Sequence, residues 1–244
     1  MATTGTYTFN PDLGEIMEEA FERAGAELKT ANDIKTARRS LNYIALEWQN
    51  KGINLWTLDE QSISSSTIVA STATYDIDIN TIGILDAVIR TDDGDADLQS
   101  DLPIEMITNS EYSQIPNKLT TGRPLQYMFK RIGVKSGTSG GADVDPTVTF
   151  WPVPDESSKY TFVYWRMRRI QDAGTNVSNT MDVPDRFIPA LTSALAWHIA
   201  TKKPSSAGRI PMLKDKKEED WIEAVGEDRE RVNFYIRPDM SAYR

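Results

Sequence analysis

Residues 182–203 read DVPDRFIPALTSALAWHIATKK, and this stretch decides how the chain is organised. Phe187, Leu191, Ala194, Leu195, His198 and Ile199 recur at helical spacing. Asp185 starts the helix and Pro189 falls near its first turn, where a missing amide hydrogen is tolerated. What precedes this stretch has a period of two, so a helical period returns after a β region. Residues 204–208 (PSSAG) read as a linker, and a charged helix over residues 210–232 follows, marked by Leu213, Trp221, Ala224, Val225 and Val232.

The same period opens the chain. Asn10-Pro11-Asp12 is a helix start, with Asn10 able to cap free amides and Pro11 tolerated at the first helical position. Leu13, Ile16, Met17, Ala20, Phe21 and Ala24 form an apolar stripe opposite Glu15, Glu18, Glu19 and Glu22. A second helix over residues 30–50 carries Ile34, Ala37, Leu41, Ile44, Ala45 and Trp48 on one face and stops at Gly52. The two predict an αα-hairpin. Between the helix pairs, strands are expected at residues 55–58, 66–70, 75–79, 84–91, 102–107, 125–132, 147–152 and 160–168, with a short helix near 110–115. The expected fold class is α+β. A helical bundle (residues 1–53 and 182–232) holds an inserted antiparallel β-sheet or small barrel (residues 54–181), and an extended tail (residues 233–244) follows.

Composition narrows function by exclusion. The 244 residues include no Cys and one His, so thiolate chemistry, disulfides, zinc fingers and multi-histidine zinc sites have no ligands. No apolar run has the length of a membrane span, and MATTGTYTF lacks the layout of a secretory signal. Most of the net charge of −9 sits in residues 76–105, where nine acids face Arg90 alone. A protein that grips DNA phosphates shows a basic stripe instead. No membrane partner, no cofactor and no catalytic residue is expected.

Several groups invite a functional reading. His198 lies on the apolar face between Leu195 and Ile199 and reads as a packed core histidine. Asp93, Asp95 and Asp97 begin like a calcium loop, but Leu98 stands at the turn-glycine position and Ile104 at the bidentate glutamate. Residues 137–141 (GTSGG) lack the lysine and hydroxyl of a phosphate loop. Arg166, Arg168 and Arg169 either pair with Asp93, Asp95 and Asp97 of a neighbouring copy, head to tail, or form a solvated strand face. The tail carries Asn233, Phe234, Tyr235, Ile236, Arg237, Tyr243 and Arg244. It either docks on another chain or folds back on its own helices.

The strings Thr8-Phe9-Asn10-Pro11 and Ile16-Met17-Glu18-Glu19-Ala20-Phe21-Glu22-Arg23-Ala24-Gly25 resemble head-to-tail adaptor proteins of short-tailed bacteriophages. So do Ala37-Arg38-Arg39-Ser40-Leu41-Asn42, Glu47-Trp48 and Gly52-Ile53-Asn54-Leu55-Trp56. The C-terminal half adds Pro184-Asp185-Arg186-Phe187-Ile188-Pro189-Ala190-Leu191, Leu195-Ala196 and Glu227-Asp228-Arg229-Glu230-Arg231 before Asn233-Phe234. The resemblance covers both helical pairs and the order of elements. It implies a homo-oligomeric ring of twelve subunits below the portal, at the head–tail interface of a virion assembled in the host cytoplasm. Such a ring carries the tail nozzle and, in some phages, fibres, and its C-terminal segments reach the portal. Double-stranded DNA then passes through without specific binding. The rival expectations are a virion-associated, carboxylate-dependent cell-wall hydrolase and a monomeric tail accessory or fibre-attachment module.

Overall fold

The computed structural model describes Gly5 and residues 9–52, 55–131 and 145–228. The protein is α+β and divides into two compact units, Met1–Leu55 with Gln171–Arg244, and Trp56–Ile170.

In the first unit, α1 (Leu13–Ala24) begins at Asp12, whose carboxylate accepts from the Glu15 amide. It ends at Gly25, whose φ of +70° is a left-handed conformation that suits glycine. The Arg209 guanidinium lies against Gly25 and donates to the Arg23 carbonyl at 3.0 Å, in space a Cβ would fill. A capping box between Thr30 and Asp33 starts α2 (Ala31–Lys51). Both apolar stripes expected from the sequence are buried, apart from the half-buried Ile34. The expected hairpin needs correction, because α1 and α2 make their main contacts with a later helix, α4 (Ile188–Ala200), and not with each other. That helix is rich in small residues and buried on nearly all sides, so it accepts neighbours around its circumference.

Residues 204–208 are likewise not a simple linker. Pro204–Arg209 forms a 3-10 turn leading into α5 (Ile210–Glu227), which also packs on α4. Helix α5 is described to Glu227, and residues 229–232 of the expected span, with Val232, lie outside the described residues. Asp228 leaves helical geometry (φ −82°, ψ 52°), and its carboxylate is taken up by other segments.

The second unit holds two four-stranded sheets. One has the order β1-β8-β3-β4, from β1 (Leu58–Ile63), β8 (Tyr160–Arg168), β3 (Thr81–Thr91) and β4 (Ser100–Pro103), antiparallel throughout. The other has the order β2-β7-β6-β5, from β2 (Thr74–Asp76), β7 (Thr147–Trp151), β6 (Gln126–Lys130) and β5 (Glu105–Ile107). Here β5 and β6 are parallel, which corrects the expectation of a purely antiparallel sheet. The connection between them includes a short helix, α3 (Asn109–Gln114), and supplies the long crossover that parallel strands need.

Four strand expectations change. Of the run 75–79 only the start is strand, as part of β2, because the Thr81 amide closes a turn on the Asp78 carbonyl. The run 102–107 is split, because the Ile104 amide bonds Ala87 of one sheet while the next amide, that of Glu105, bonds Leu125 beside the other. Residues 66–70 form turns, closed by amides of Thr67 and Ile68 on the Ser64 and Ser65 carbonyls; serine hydroxyls compete for local partners in this way. Leu55–Thr57 is a 3-10 turn ahead of β1.

Side chains from both sheets meet in one core. Phe162 is its centre, with ring centroids 5.4 Å from Tyr127, 5.0 Å from Phe150 and 5.3 Å from Tyr164.

Candidate functional site

Three places in the described residues combine polar chemistry with a geometry that local structure alone does not require. The first is the end of α5. Asp228 accepts from the Leu55 amide at 2.9 Å and pairs with Arg186, and its side chain is almost wholly buried by these contacts. The last described residue is therefore clamped to the approach to α4 and to the end of the N-terminal helical segment. The site residues expected in the tail, Asn233, Phe234, Tyr235, Ile236, Arg237, Tyr243 and Arg244, lie outside the described residues, as does the 137–141 loop.

The second place is a groove of about 510 Å³ between the segment before α1, α1 itself and the start of α4. Phe9, 75% exposed, and the exposed Pro189 give it an apolar surface, with Ile188 half-buried between them. Glu15, Glu18 and Glu22 line the same groove and have no ion-pair partner among the described residues. Glu19 is bonded to Arg23 at 2.7 Å. Arg23 in turn donates to Ser193 of α4 at 3.0 Å, Ser193 donates to Asp220 of α5, and Lys216 closes the chain on Asp220 at 2.9 Å.

The third place is the end of β8. Phe162, Tyr164 and Arg166 alternate on one face of the strand, so Arg166 continues the core stripe and is only 5% exposed. Its guanidinium pairs with Asp59, directly opposite on β1, and with Asp78, both at 3.1 Å, and bonds the Thr81 hydroxyl at 3.0 Å. A hydrogen bond from Gln61, joined by Arg166, holds the Asp59 carboxyl below its ordinary value. Burial pushes Asp78 upward, but the Asn80 amide and Arg166 outweigh it and the net shift is downward. A buried arginine with two carboxylates is a structural charge cluster, since each ion offsets the desolvation of the other.

The structure does not bring the arginines and the acidic run together within one chain. Arg168 is half-buried and donates to the carbonyls of Arg169 and Trp56, while Arg169 is exposed. The run lies in the β3–β4 turn. Asp93 pairs with Arg90 at 3.6 Å and accepts from Thr161 at 3.0 Å. Asp95 turns its carboxylate onto the amides of Asp97 and Leu98, and the Asp97 side chain is exposed. Carboxylates bonded to their own turn are an ordinary way of closing it. Among the described residues no three acidic or histidine side chains converge closely enough to hold a metal ion.

His198 is half-buried, less enclosed than expected, and its ring stands edge-on to Trp197 at 5.0 Å. Burial, with Lys217 nearby, pushes its pKa down. None of the described helices is long and apolar enough to cross a membrane.

Sequence reasoning missed the Asp228 clamp, because Arg186 and Leu55 lie 42 and 173 positions away and no local pattern joins them. It also missed the groove, although the spacing of Glu15, Glu18 and Glu22 already placed three acids on one side of α1. A family model described as SU10 adaptor protein matches residues 11–231. Comparison with curated proteins gives no match.

Proposed function

Because the chain belongs to the SU10 adaptor protein family, a family of phage structural adaptors, we propose that it forms a ring between the portal and the tail nozzle of its virion. The observation that carries this reading is the family match itself, which takes in all five helices and both sheets of the described residues. Twelve copies stand side by side, extend the DNA channel and, where the phage has them, carry fibres. The work is mechanical and electrostatic, with no bond made or broken.

Charge supports the channel role. The acidic β3–β4 turn and the net charge of −9 favour a surface that repels DNA phosphates and lets the genome pass. Residues 233–244 supply portal-docking aromatics, and the Asp228 clamp fixes the point from which they leave. Between subunits, the head-to-tail pairing proposed for Arg166, Arg168 and Arg169 with Asp93, Asp95 and Asp97 rests chiefly on Arg169 and Asp97. These two keep exposed charged groups after the contacts within the chain are counted.

Co-sedimentation with purified portal complex tests the reading. The full chain is expected to pellet with portal, and a Phe234→Ser, Tyr235→Ser variant to stay in the supernatant. A chain that ignores portal overturns the reading, and a tail variant that still pellets removes the tail from it.

A further inference from the structure

We propose that the groove between α1 and the start of α4 seats the chain's own C-terminal segment, residues 233–244, when no portal is bound. The groove offers what an aromatic segment needs, a concave surface with Phe9, Ile188 and Pro189 on its apolar side. Its volume of about 510 Å³ lies in the range that accepts ring-sized groups.

Charge selects the occupant. Glu15, Glu18 and Glu22 leave uncompensated negative charge at the groove. Residues 233–244 read NFYIRPDMSAYR, with Arg237 and Arg244 against Asp239, and Phe234, Tyr235 and Tyr243 among them. A segment that is both aromatic and net basic fits a wall that is both apolar and acidic.

Reach is set by the clamp. Asp228 pairs with Arg186, two residues before Ile188 of the groove wall. The six residue steps from Asp228 to Phe234 span at most about 20 Å, which suffices to carry the aromatics past Arg186 onto that wall. Tethering also gives the segment a millimolar-scale effective concentration at the groove, so weak contacts suffice to hold it. Groove and portal then compete for one segment. The groove assignment does not depend on the portal reading and is tested without portal.

The absence of cysteine makes the test clean. Full chains carrying Glu18→Cys with Tyr235→Cys are oxidised mildly at low protein concentration beside a control pair, Asp215→Cys with Tyr235→Cys, whose α5 position is also exposed. The expected result is an intrachain disulfide forming at least about tenfold faster in the Glu18 pair. Equal rates in the two pairs overturn the proposal. A disulfide-linked dimer whose yield rises with concentration, in place of the intrachain product, also overturns it and assigns the groove to a second copy. Adding Glu15→Lys and Glu22→Lys to the Glu18 pair is expected to slow closure severalfold, and an unchanged rate refutes recognition by charge.

Discussion

In the helical unit, charged groups reach between helices far apart in sequence. Arg23 and Ser193, Lys203 and Asp33, and Lys217 and Glu47 are each joined across about 170 positions. In the β unit the middle is aromatic, and a single ring, Phe162, touches partners from both sheets. Helix α4 explains the contrast. Its four alanines, Thr192 and Ser193 let neighbouring helices approach closely, so Ser193 relays a polar contact from Arg23 to Asp220, beside the unit's own ring cluster of Trp48, Phe187 and Trp221. A protein built this way is expected to respond to charge substitution across its helices and to cavity formation within its sheets. Acid acts on both units, through Asp33 in one and through Asp59 and Asp78 on Arg166 in the other.

The largest expected effect is in the aromatic core. Phe162→Ala empties the meeting point of Tyr127, Phe150 and Tyr164 and is expected to cost about 3–5 kcal/mol. Denaturant unfolding with hydrogen exchange at β8 amides measures it, and a loss below about 1 kcal/mol would show that the sheets do not depend on this ring.

Next comes the buried network of the helical unit. Asp220, 8% exposed, takes bonds from Ser193 and Lys216, so Asp220→Ala leaves Ser193 without its acceptor and Lys216 with Glu219 alone. A loss of about 2 kcal/mol is expected in the same unfolding assay. No loss would mean that the network contributes order without stability.

Acid reaches the helical unit through one firmly held carboxyl. Hydrogen bonds from Lys203 and then Thr30 hold the Asp33 carboxyl at about 2, below its ordinary 3.8. A carboxyl lowered in the folded state stabilises above its unfolded value and loses that contribution as pH falls through the folded one. Thermal midpoints are therefore expected to fall between about pH 4 and pH 2, and Asp33→Asn to flatten that part of the curve. A curve of unchanged slope in the variant would show that the Lys203 contact does not couple to folding.

The smallest effect is expected at His198. Its lowered pKa keeps the ring neutral near pH 7, where glutamine is a fair polar substitute. His198→Gln should move stability by no more than about 0.5 kcal/mol, read from the same melts. A large loss would restore the view of His198 as a tightly packed core group.

The helices were legible because their signal is local. The stripes of α1 and α2 bury the residues that the period selected, and Thr30 and Gly25 stand at helix ends, but the cap of α1 is Asp12 and not the expected Asn10. The partner of each stripe was not legible, since nothing in residues 10–50 says that both will rest on α4. In the β region, strands β3, β7 and β8 stand close to where alternation put them, yet their division between two sheets was hidden. That division turns on single backbone bonds such as those at Ile104 and Glu105, which carry no side-chain pattern. Arg166 could have been placed from sequence. It falls two residues after Tyr164 on the core face of β8, so its burial follows from the alternation that also fixes Phe162.

Imaging particles formed from the full chain and its purified portal tests the central claim most directly. The account predicts a closed ring of this protein, coaxial with the portal and set on its tail-facing end. Separate rings, irregular decoration or bare portals under conditions where both components are folded would contradict it.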